Sequence, residues 1–313
     1  YMSFKTLPRL TGHETFVCRF AWLPKLVAQM EENSRQTHYL FKDLDEAIVR
    51  LGVGKNMVRS IKFWGEVSGL IQPTDKGGHE LTTFGKRLLG HEGHDPYLEK
   101  QETLWLLHWK ISTARPPIFY WNEMLNHWHR PEFSLSEALP RLQRALPPNS
   151  NSSVRTISDG FKVFIRTYVP SRSPKGDVAE DNLDCPLIEL GLINETGLRS
   201  DEQTGKQEPL YSFNYEDKPE ITDSLFAYCL NDFWMHSIHT GDTLSFGMVS
   251  TGQNSPGQIF KLPELAVRSK LERLSDSSKG TLSFMESSTL QQVVRNSRCS
   301  DSDALDNIYL SSL

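Results

Sequence analysis

The chain has 313 residues, of which 38% are hydrophobic and 10% aromatic, enough to bury a core in two or three domains, which excludes a disordered protein. The 34 basic and 39 acidic side chains give a net charge of −5, which taken alone argues against nucleic-acid binding. The charge is uneven, however. Residues 1–175 carry 24 basic and 17 acidic groups, a balance of +7, whereas residues 176–313 carry 10 and 22, a balance of −12. We expect the two halves to face different partners.

Membrane and disulfide signals are both weak. No run approaches the roughly 18 apolar residues of a membrane span, and the N-terminal residues lack a signal-peptide pattern. We therefore expect a cytoplasmic protein with no membrane partner. The four cysteines form no Cys-x-x-Cys pair, which predicts isolated, reduced thiols; they are Cys18, Cys185, Cys229 and Cys299.

Residues 43–90 are the clearest segment. Asp43 is a good N-cap for a helix to residue 51, a Gly-Val-Gly turn follows, and a second helix is predicted from about residue 55 to 68. Short apolar strands at 70–72 and 80–81, separated by a polar turn, precede a closing helix. Helix, turn, helix and hairpin together predict a winged helix.

A similar order recurs at residues 133–213. A helix to about residue 145 and a loop precede a helix at 153–168, where Ile157, Phe161, Phe164 and Tyr168 repeat at helical spacing. A polar loop is predicted at 194–208, before a strand at 210–213. The predicted fold is mainly α with small β-hairpins, an α+β class with tandem winged-helix-like units, divided into domains 1–112, 113–218 and 219–313.

The last hundred residues are predicted to be helical at 221–236 and 261–274, with a Gly/Ser-rich connection at 241–258 between them. A terminal strand pair is predicted at 280–284 and 290–294. Residues 300–313 are rich in Ser and Asp, which is typical of a mobile or docking tail.

The second helix of the first unit has a basic face. At about 100° per residue, Met57, Ile61 and Trp64 form a buried stripe, and Glu66 lies with the basic residues on the opposite side. In a helix-turn-helix protein that face enters the major groove. The candidate nucleic-acid-binding residues are Lys55, Asn56, Arg59 and Lys62. The alternative is an ordinary solubilising surface.

The helix at 153–168 shows the same polarity. Arg155, Lys162 and Arg166 fall opposite its apolar stripe, and cations one to two turns apart can follow a phosphate backbone. Residues 113–175 hold 9 basic and 4 acidic groups, a balance of +5. We therefore expect the main electrostatic contact with double-stranded DNA on this second unit.

A nucleotide-binding loop is not expected. The Gly-Val-Gly-Lys-Asn run at 52–56 resembles a phosphate-binding loop, but that motif requires Gly where Val49 stands and Ser or Thr at Asn56. The glycines suit the turn between the helices instead.

His13, Glu14 and Arg19 are the candidate catalytic residues. A His beside a carboxylate can act as a general base or metal ligand, and an Arg can stabilise charge on a phosphate. The alternative is structural: Thr11 caps a helix with Glu14 at its third position, which is a capping box.

An acidic cluster at residues 180–184 is a second candidate, with Glu189 two helical turns beyond Asp181. Clustered carboxylates can hold a divalent cation for phosphodiester cleavage. Acidic residues at a helix N-terminus, which complement the helix dipole, are the alternative. The metal ligands therefore stay unassigned.

Three segments resemble the SspB-type nickase family of bacterial DNA phosphorothioation modules, once a family of unknown function. They are residues 11–16 (TGHETF) with Arg19 and residues 22–23 (WL), residues 51–58 (LGVGKNMV), and residues 180–187 (EDNLDCPL) with 189–193 (ELGLI). The resemblance covers most of residues 8–295. It implies a DNA-nicking component that works with a cysteine desulfurase, an ATPase and an ATP-pyrophosphatase-like sulfur transferase.

Two hypotheses follow. In the first, the chain is an endonuclease that nicks one strand for phosphorothioation in antiphage defence, with Mg²⁺ or Mn²⁺ as candidate cofactor. In the second, it is a non-catalytic winged-helix adaptor or regulator that recruits sulfur-transfer enzymes to DNA. A third interpretation limits the basic faces to protein contacts.

Overall fold

The computed structural model describes residues 7–32, 40–148, 150, 152–170, 185–201, 204–237, 241–287 and 289–310. Helices dominate, and three small antiparallel sheets are present in these ranges, which confirms the predicted α+β class. The chain forms two compact units. One combines residues 1–99 with 110–214, and the other combines 100–109 with 215–313. The three domains drawn from the sequence stay a prediction.

The first part of unit 1 follows the predicted order of elements. It contains α1 (Trp22–Glu32), α2 (Leu44–Leu51), α3 (Lys55–Val67), β1 (Ile71–Pro73), β2 (His79–Leu81) and α4 (Thr83–Leu89). Asp43 caps α2 by accepting from the amides of Asp45 and Glu46, and Gly52 ends that helix at φ 63°. The helix, turn, helix and hairpin are therefore present as elements. Their arrangement as a winged helix stays a prediction.

The buried side of α3 is wider than a single stripe. Ile61 and Trp64 are buried as predicted, but Met57 is only half-buried. Ser60 and Phe63 are buried as well, and both face the loop that precedes α1. The helix is therefore enclosed on more sides than its apolar spacing indicates.

The second part of unit 1 holds a three-stranded sheet of order β3-β5-β4. Its elements are α6 (Phe119–Asn126), β3 (Glu132–Phe133), α7 (Leu135–Ala145), α8 (Val154–Tyr168), a 3₁₀ helix (Pro186–Leu190), β4 (Ile193–Ser200) and β5 (Gln207–Phe213). The predicted polar loop at 194–208 is wrong, because residues 194–200 belong to β4 and residues 207–208 to β5. Strand β4 is largely solvent-exposed, so it carries none of the apolar alternation by which strands are recognised.

The apolar stripe of α8 packs against α6 as its spacing predicts. Phe161, Phe164 and Tyr168 are all buried, and Trp121 Nε1 donates to the Tyr168 hydroxyl at 2.8 Å. Gly160 lets the ring of Tyr120 approach the helix. A Cβ at that position would lie 2.1 Å from Tyr120 Cζ.

Unit 2 includes the first nine residues of α5 (Gln101–Ser112). Its other elements are α9 (Asp223–His236), β6 (Thr243–Ser245), α10 (Phe246–Thr251), α11 (Pro256–Ile259), α12 (Glu264–Glu272), α13 (Leu274–Ser277), β7 (Leu282–Glu286), β8 (Gln291–Arg295) and α14 (Asp301–Leu310). The strands pair in the order β6-β8-β7. The predicted terminal strand pair is confirmed as β7 and β8, and β6 pairs with β8 as a third strand.

Two expectations about unit 2 are wrong. The connection at 241–258 contains one strand and two short helices, because Ser245 and Ser255 cap helices there by accepting from Met248 N and Gln258 N. The C-terminal residues up to 310 are not a loose tail. They form α14, which buries Leu305, Ile308 and Tyr309.

The core of unit 2 is aromatic and includes buried cations. Phe260 contacts the rings of Trp105, His108 and Trp109 at 5.6 to 6.0 Å. Burial lowers the pKa of Lys218 to about 8 and that of Lys261 to about 7. None of the described helices is both long and apolar enough to cross a membrane.

Candidate functional site

The loop around His13 has an unusual backbone. Gly12, Glu14 and Thr15 have φ values of 119°, 49° and 65°. Residues other than glycine pay about 1–3 kcal/mol for this region, and such strain is concentrated at functional sites. The capping-box alternative is wrong, because the first helix begins only at Trp22 and Glu14 lies in a turn.

The His13 main chain anchors this strained loop to α3. The His13 carbonyl accepts from Ser60 Oγ at 2.9 Å and from the Phe16 amide at 2.8 Å, and Thr15 N donates to His13 Nδ1 at 3.2 Å. Gly12 lies against Phe63, where a Cβ would be 2.6 Å from the ring. These contacts hold the backbone of the loop, including the turn that contains Glu14, against α3.

The imidazole of His13 is buried rather than presented to solvent. It is 5% exposed, and its ring lies 5.7 Å from that of Phe63 and 6.4 Å from that of Tyr120. Within the described residues its Nε2 has no hydrogen-bond partner. Burial lowers the pKa of His13 to about 4, so the ring is neutral at pH 7. This geometry favours support of the loop over direct contact with a substrate.

Glu14 and Arg19 are the accessible members of the predicted catalytic set. Glu14 is half-buried in the turn. Arg19 precedes α1 rather than lying within a helix, and its guanidinium carbon is 5.5 Å from the centre of the Trp22 ring and 6.0 Å from that of Phe16. Stacking on aromatic faces holds an arginine in place while its charge stays available. Their catalytic roles stay predictions.

The outer face of α3 carries two cations that form no ion pair with the described residues. Lys55, Asn56 and Arg59 are exposed, and none of the described carboxylates forms an ion pair with Lys55 or Arg59. Lys62 differs, since its Nζ lies 4.0 Å from Glu66 Oε1. The predicted basic face is therefore strongest at the N-terminal half of the helix.

Glu66 does not belong to the exposed face to which the helical wheel assigned it. Its side chain is only 16% exposed and lies 2.6 Å from Arg9 Nη1 and 2.8 Å from His79 Nε2. Burial raises the pKa of this carboxyl, but hydrogen bonds from His79 and Arg9 outweigh that effect and lower it. Glu66 thus links α3 to β2 and to the N-terminal segment.

The predicted basic face of α8 contains a carboxylate. Arg155 Nε lies 3.7 Å and Lys162 Nζ 3.6 Å from Asp159. Arg166 is half-buried and lines a cavity beside the helix. The spacing of Asp159, four residues after Arg155 and three before Lys162, is the signal in the sequence that predicts this neutralisation.

The candidate residues described so far do not form a metal site. The described parts of the chain contain no group of three or more His, Cys, Asp or Glu side chains placed to hold an ion. The acidic cluster at 180–184 lies outside the described residues, and Glu189 is exposed in the 3₁₀ helix. Among the described residues no donor set for a divalent cation is assembled, so the ligands of the expected Mg²⁺ or Mn²⁺ stay unassigned. Cys18, Cys185, Cys229 and Cys299 are free thiols, as predicted.

The comparisons with known proteins agree with the motif resemblance. A family model described as a protein of unknown function (DUF4007) matches residues 10–309. The chain belongs to the DUF4007 family. Two crystal structures of SspB, one with bound magnesium ion, each match with a TM-score of 0.79 at 25% identity, covering 96% of this chain and 86% of the other. No curated protein sequence matches. The predicted SspB-type fold is confirmed.

Proposed function

We propose that this chain is the DNA-nicking component of a single-strand DNA phosphorothioation module. The similarity to SspB over 96% of the chain is the observation that carries the proposal. In this role its partners are double-stranded DNA, a cysteine desulfurase, an ATPase and an ATP-pyrophosphatase-like sulfur transferase. Replacing a phosphate oxygen by sulfur requires access to the backbone, which a nick provides.

The exposed face of α3 supports duplex binding. Lys55 and Arg59 lie one turn apart and have no carboxylate partner among the described residues, so their full charge is available for phosphates or guanine edges. Asn56 beside them has the amide that pairs with adenine. In this proposal α3 positions the duplex.

The strained loop supports a chemical role for Glu14. A half-buried carboxylate in a fixed turn can accept a proton from a water that attacks the phosphodiester. Arg19, held on Trp22 and Phe16, can offset the negative charge that develops on the phosphate. His13 acts here as a positioning residue, because its main chain and Nδ1 hold the turn together.

Plasmid nicking tests the proposal. Wild-type protein should convert supercoiled plasmid to open circles in the presence of Mg²⁺ or Mn²⁺. This nicking should stop when a chelator is added. Glu14→Gln should slow nicking at least about a hundredfold, in the range of a lost general base, and leave duplex affinity unchanged. Glu32→Gln, at the exposed end of α1, is the matched control. Wild-type rates in Glu14→Gln would show that Glu14 is not the base.

The buried imidazole of His13 favours a second candidate, the non-catalytic adaptor. A ring that is 5% exposed cannot reach a phosphodiester in this conformation, which leaves the predicted His-Glu pair without one member. The adaptor predicts salt-sensitive duplex binding and intact plasmid under every metal condition. The nicking assay therefore separates the two functions.

A further inference from the structure

A cavity beside α8 is not used by the proposed chemistry. Its volume is 340 Å³ and it lies between α8 and the β4–β5 hairpin. Small-ligand sites span about 300–1,000 Å³, so this one is the size of a single small molecule. Its lining is mostly apolar and comprises Leu135, Phe161, Ile165, Val169, Pro170, Pro209 and Tyr211.

The charged groups of the cavity stand on opposite walls. Lys162 and Arg166 line the α8 side, and Glu195 and Glu208 line the hairpin side. Glu208 is engaged, since it accepts from the amide and the hydroxyl of Ser136. Glu195 forms no hydrogen bond or ion pair with the described residues and is therefore the carboxylate better placed to accept from a ligand.

An apolar floor between oppositely charged walls fits a nucleotide better than it fits a phosphate ion or an apolar molecule. A free phosphate would gain nothing from the apolar floor, and a purely apolar molecule would make no use of the cations on one wall or of Glu195 on the other. A nucleotide places its phosphate near cations, its base against Phe161, Ile165 and Tyr211, and an exocyclic amino group near a carboxylate. Cytosine, adenine and guanine carry such a group, and thymine does not.

We propose that this cavity receives one unstacked nucleotide of a DNA strand and prefers a base with an exocyclic amino group. The inference rests on the proposed DNA function but assigns a site apart from Glu14 and α3. Enzymes that act on DNA often extrude a nucleotide, and contact with aromatic side chains replaces the stacking that is lost. Glu195 is the residue that determines the base preference.

The first test compares two labelled single strands, (dC)₁₀ and (dT)₁₀, by fluorescence anisotropy on the full chain at pH 7.5. Wild type should bind (dC)₁₀ at least about fivefold more tightly, as expected for one base-edge contact. Glu195→Gln should reduce that ratio below about twofold by weakening (dC)₁₀ and sparing (dT)₁₀. Glu80→Gln, a carboxylate on the β1–β2 hairpin, should retain the wild-type ratio.

The second test fills the cavity. Ile165→Trp should weaken both single strands at least about tenfold, since stacking against the floor is lost, while duplex binding through α3 persists. Equal binding of the two strands by wild type, no binding of either, or an unchanged ratio in Glu195→Gln overturns the proposal. A wild type that nicks plasmid without discriminating the strands overturns this inference alone. One that discriminates but does not nick overturns only the proposed function.

Discussion

The two basic helices of unit 1 look alike in sequence but differ in the charge they present. On α3, Lys55 and Arg59 are exposed and have no described carboxylate partner. On α8, Arg155 and Lys162 share Asp159 at 3.7 and 3.6 Å. Each helix carries three basic residues and one acidic residue, so the difference lies in how far the cations are already paired. The second helix also has a cavity beside it.

The same difference explains why counting charges is misleading in residues 113–175. Several of their cations are already engaged within unit 1. Arg130 pairs with Glu137 at 3.5 Å, Arg141 lies over the Trp128 ring, and Arg144 donates to a main-chain carbonyl. A formal balance of +5 therefore overstates what a phosphate backbone would meet. Affinity depends on unpaired, exposed cations rather than on net charge.

Of the changes predicted here, acidification should cause the largest loss of stability. The loss arises at His13, in the loop that contacts α3. The folded-state pKa of His13 is about 4 against 6.5 in the unfolded chain, so the unfolded state binds more protons below pH 6.5. The stabilisation by neutral His13 is complete above pH 6.5 and falls by about 3 kcal/mol as the pH approaches 4. Urea denaturation between pH 7.5 and 4 measures it.

His13→Asn is the matching variant, because its side-chain oxygen can replace Nδ1 as acceptor. It should be less stable than wild type at pH 7.5 but lose less stability on acidification. His91→Asn, at an exposed position, should retain the wild-type profile. The buried His108 of unit 2, whose pKa burial also lowers to about 4, should keep part of the acid sensitivity in every variant. An unchanged profile in His13→Asn would contradict the assignment.

A pair of glycine substitutions compares the packing of the two helices. Gly160→Ala on α8 places a Cβ against the ring of Tyr120, whereas Gly65→Ala on α3 meets the ends of Leu26 and Ile71, which can rotate. We expect Gly160→Ala to cost about 2 kcal/mol of unfolding free energy through overpacking. Gly65→Ala should cost about 1 kcal/mol or less, since alanine also favours the helix. Equal losses in chemical denaturation would contradict the difference in packing.

Neutralising the cations should separate the helices in duplex binding. Lys55→Gln with Arg59→Gln should weaken duplex affinity about tenfold and reduce the slope of log affinity against log salt by about 2. Arg155→Gln with Lys162→Gln should change the slope by about 1 or less. Filter binding between 50 and 200 mM salt measures both. A larger slope change for the α8 pair would reverse the assignment.

Asp159→Asn should give the smallest effect. Removing the carboxylate shared by Arg155 and Lys162 should tighten duplex binding by about twofold, in the range of an exposed ion pair. Asp45→Asn, an exposed carboxylate in the first turn of α2, is the control. Weaker binding by Asp159→Asn would indicate that Asp159 orients the two cations rather than neutralising them.

The sequence predicts local elements well where spacing and caps agree. The Asp43 cap, the Gly52 turn and the apolar stripe of α8 all appear as expected. It fails where an element has no apolar pattern. Strand β4 is mostly exposed and has no alternating apolar residues, and β6 is only three residues long.

The site was less predictable than the fold. The residues of the TGHETF segment were identified, but their conformation was not, because a turn with two non-glycine residues at positive φ contradicts local preference. The burial of His13 and the cavity beside α8 both depend on contacts between residues distant in sequence. Neither the burial of His13 nor the cavity produces a periodic pattern in the sequence.

Unit 2 is built from two separate segments of the chain, and this affects when it can fold during synthesis. Residues 100–109 supply Trp105 and Trp109, but their partner Phe260 and the strands β6 to β8 emerge from the ribosome more than a hundred residues later. Unit 1 is complete once residue 214 has emerged. The indole rings of α5 must therefore wait, exposed to solvent or to chaperones, for the rest of the chain. A fragment that begins at residue 215 would lack Trp105, His108 and Trp109, so the aromatic core of the second unit also needs residues 100–109.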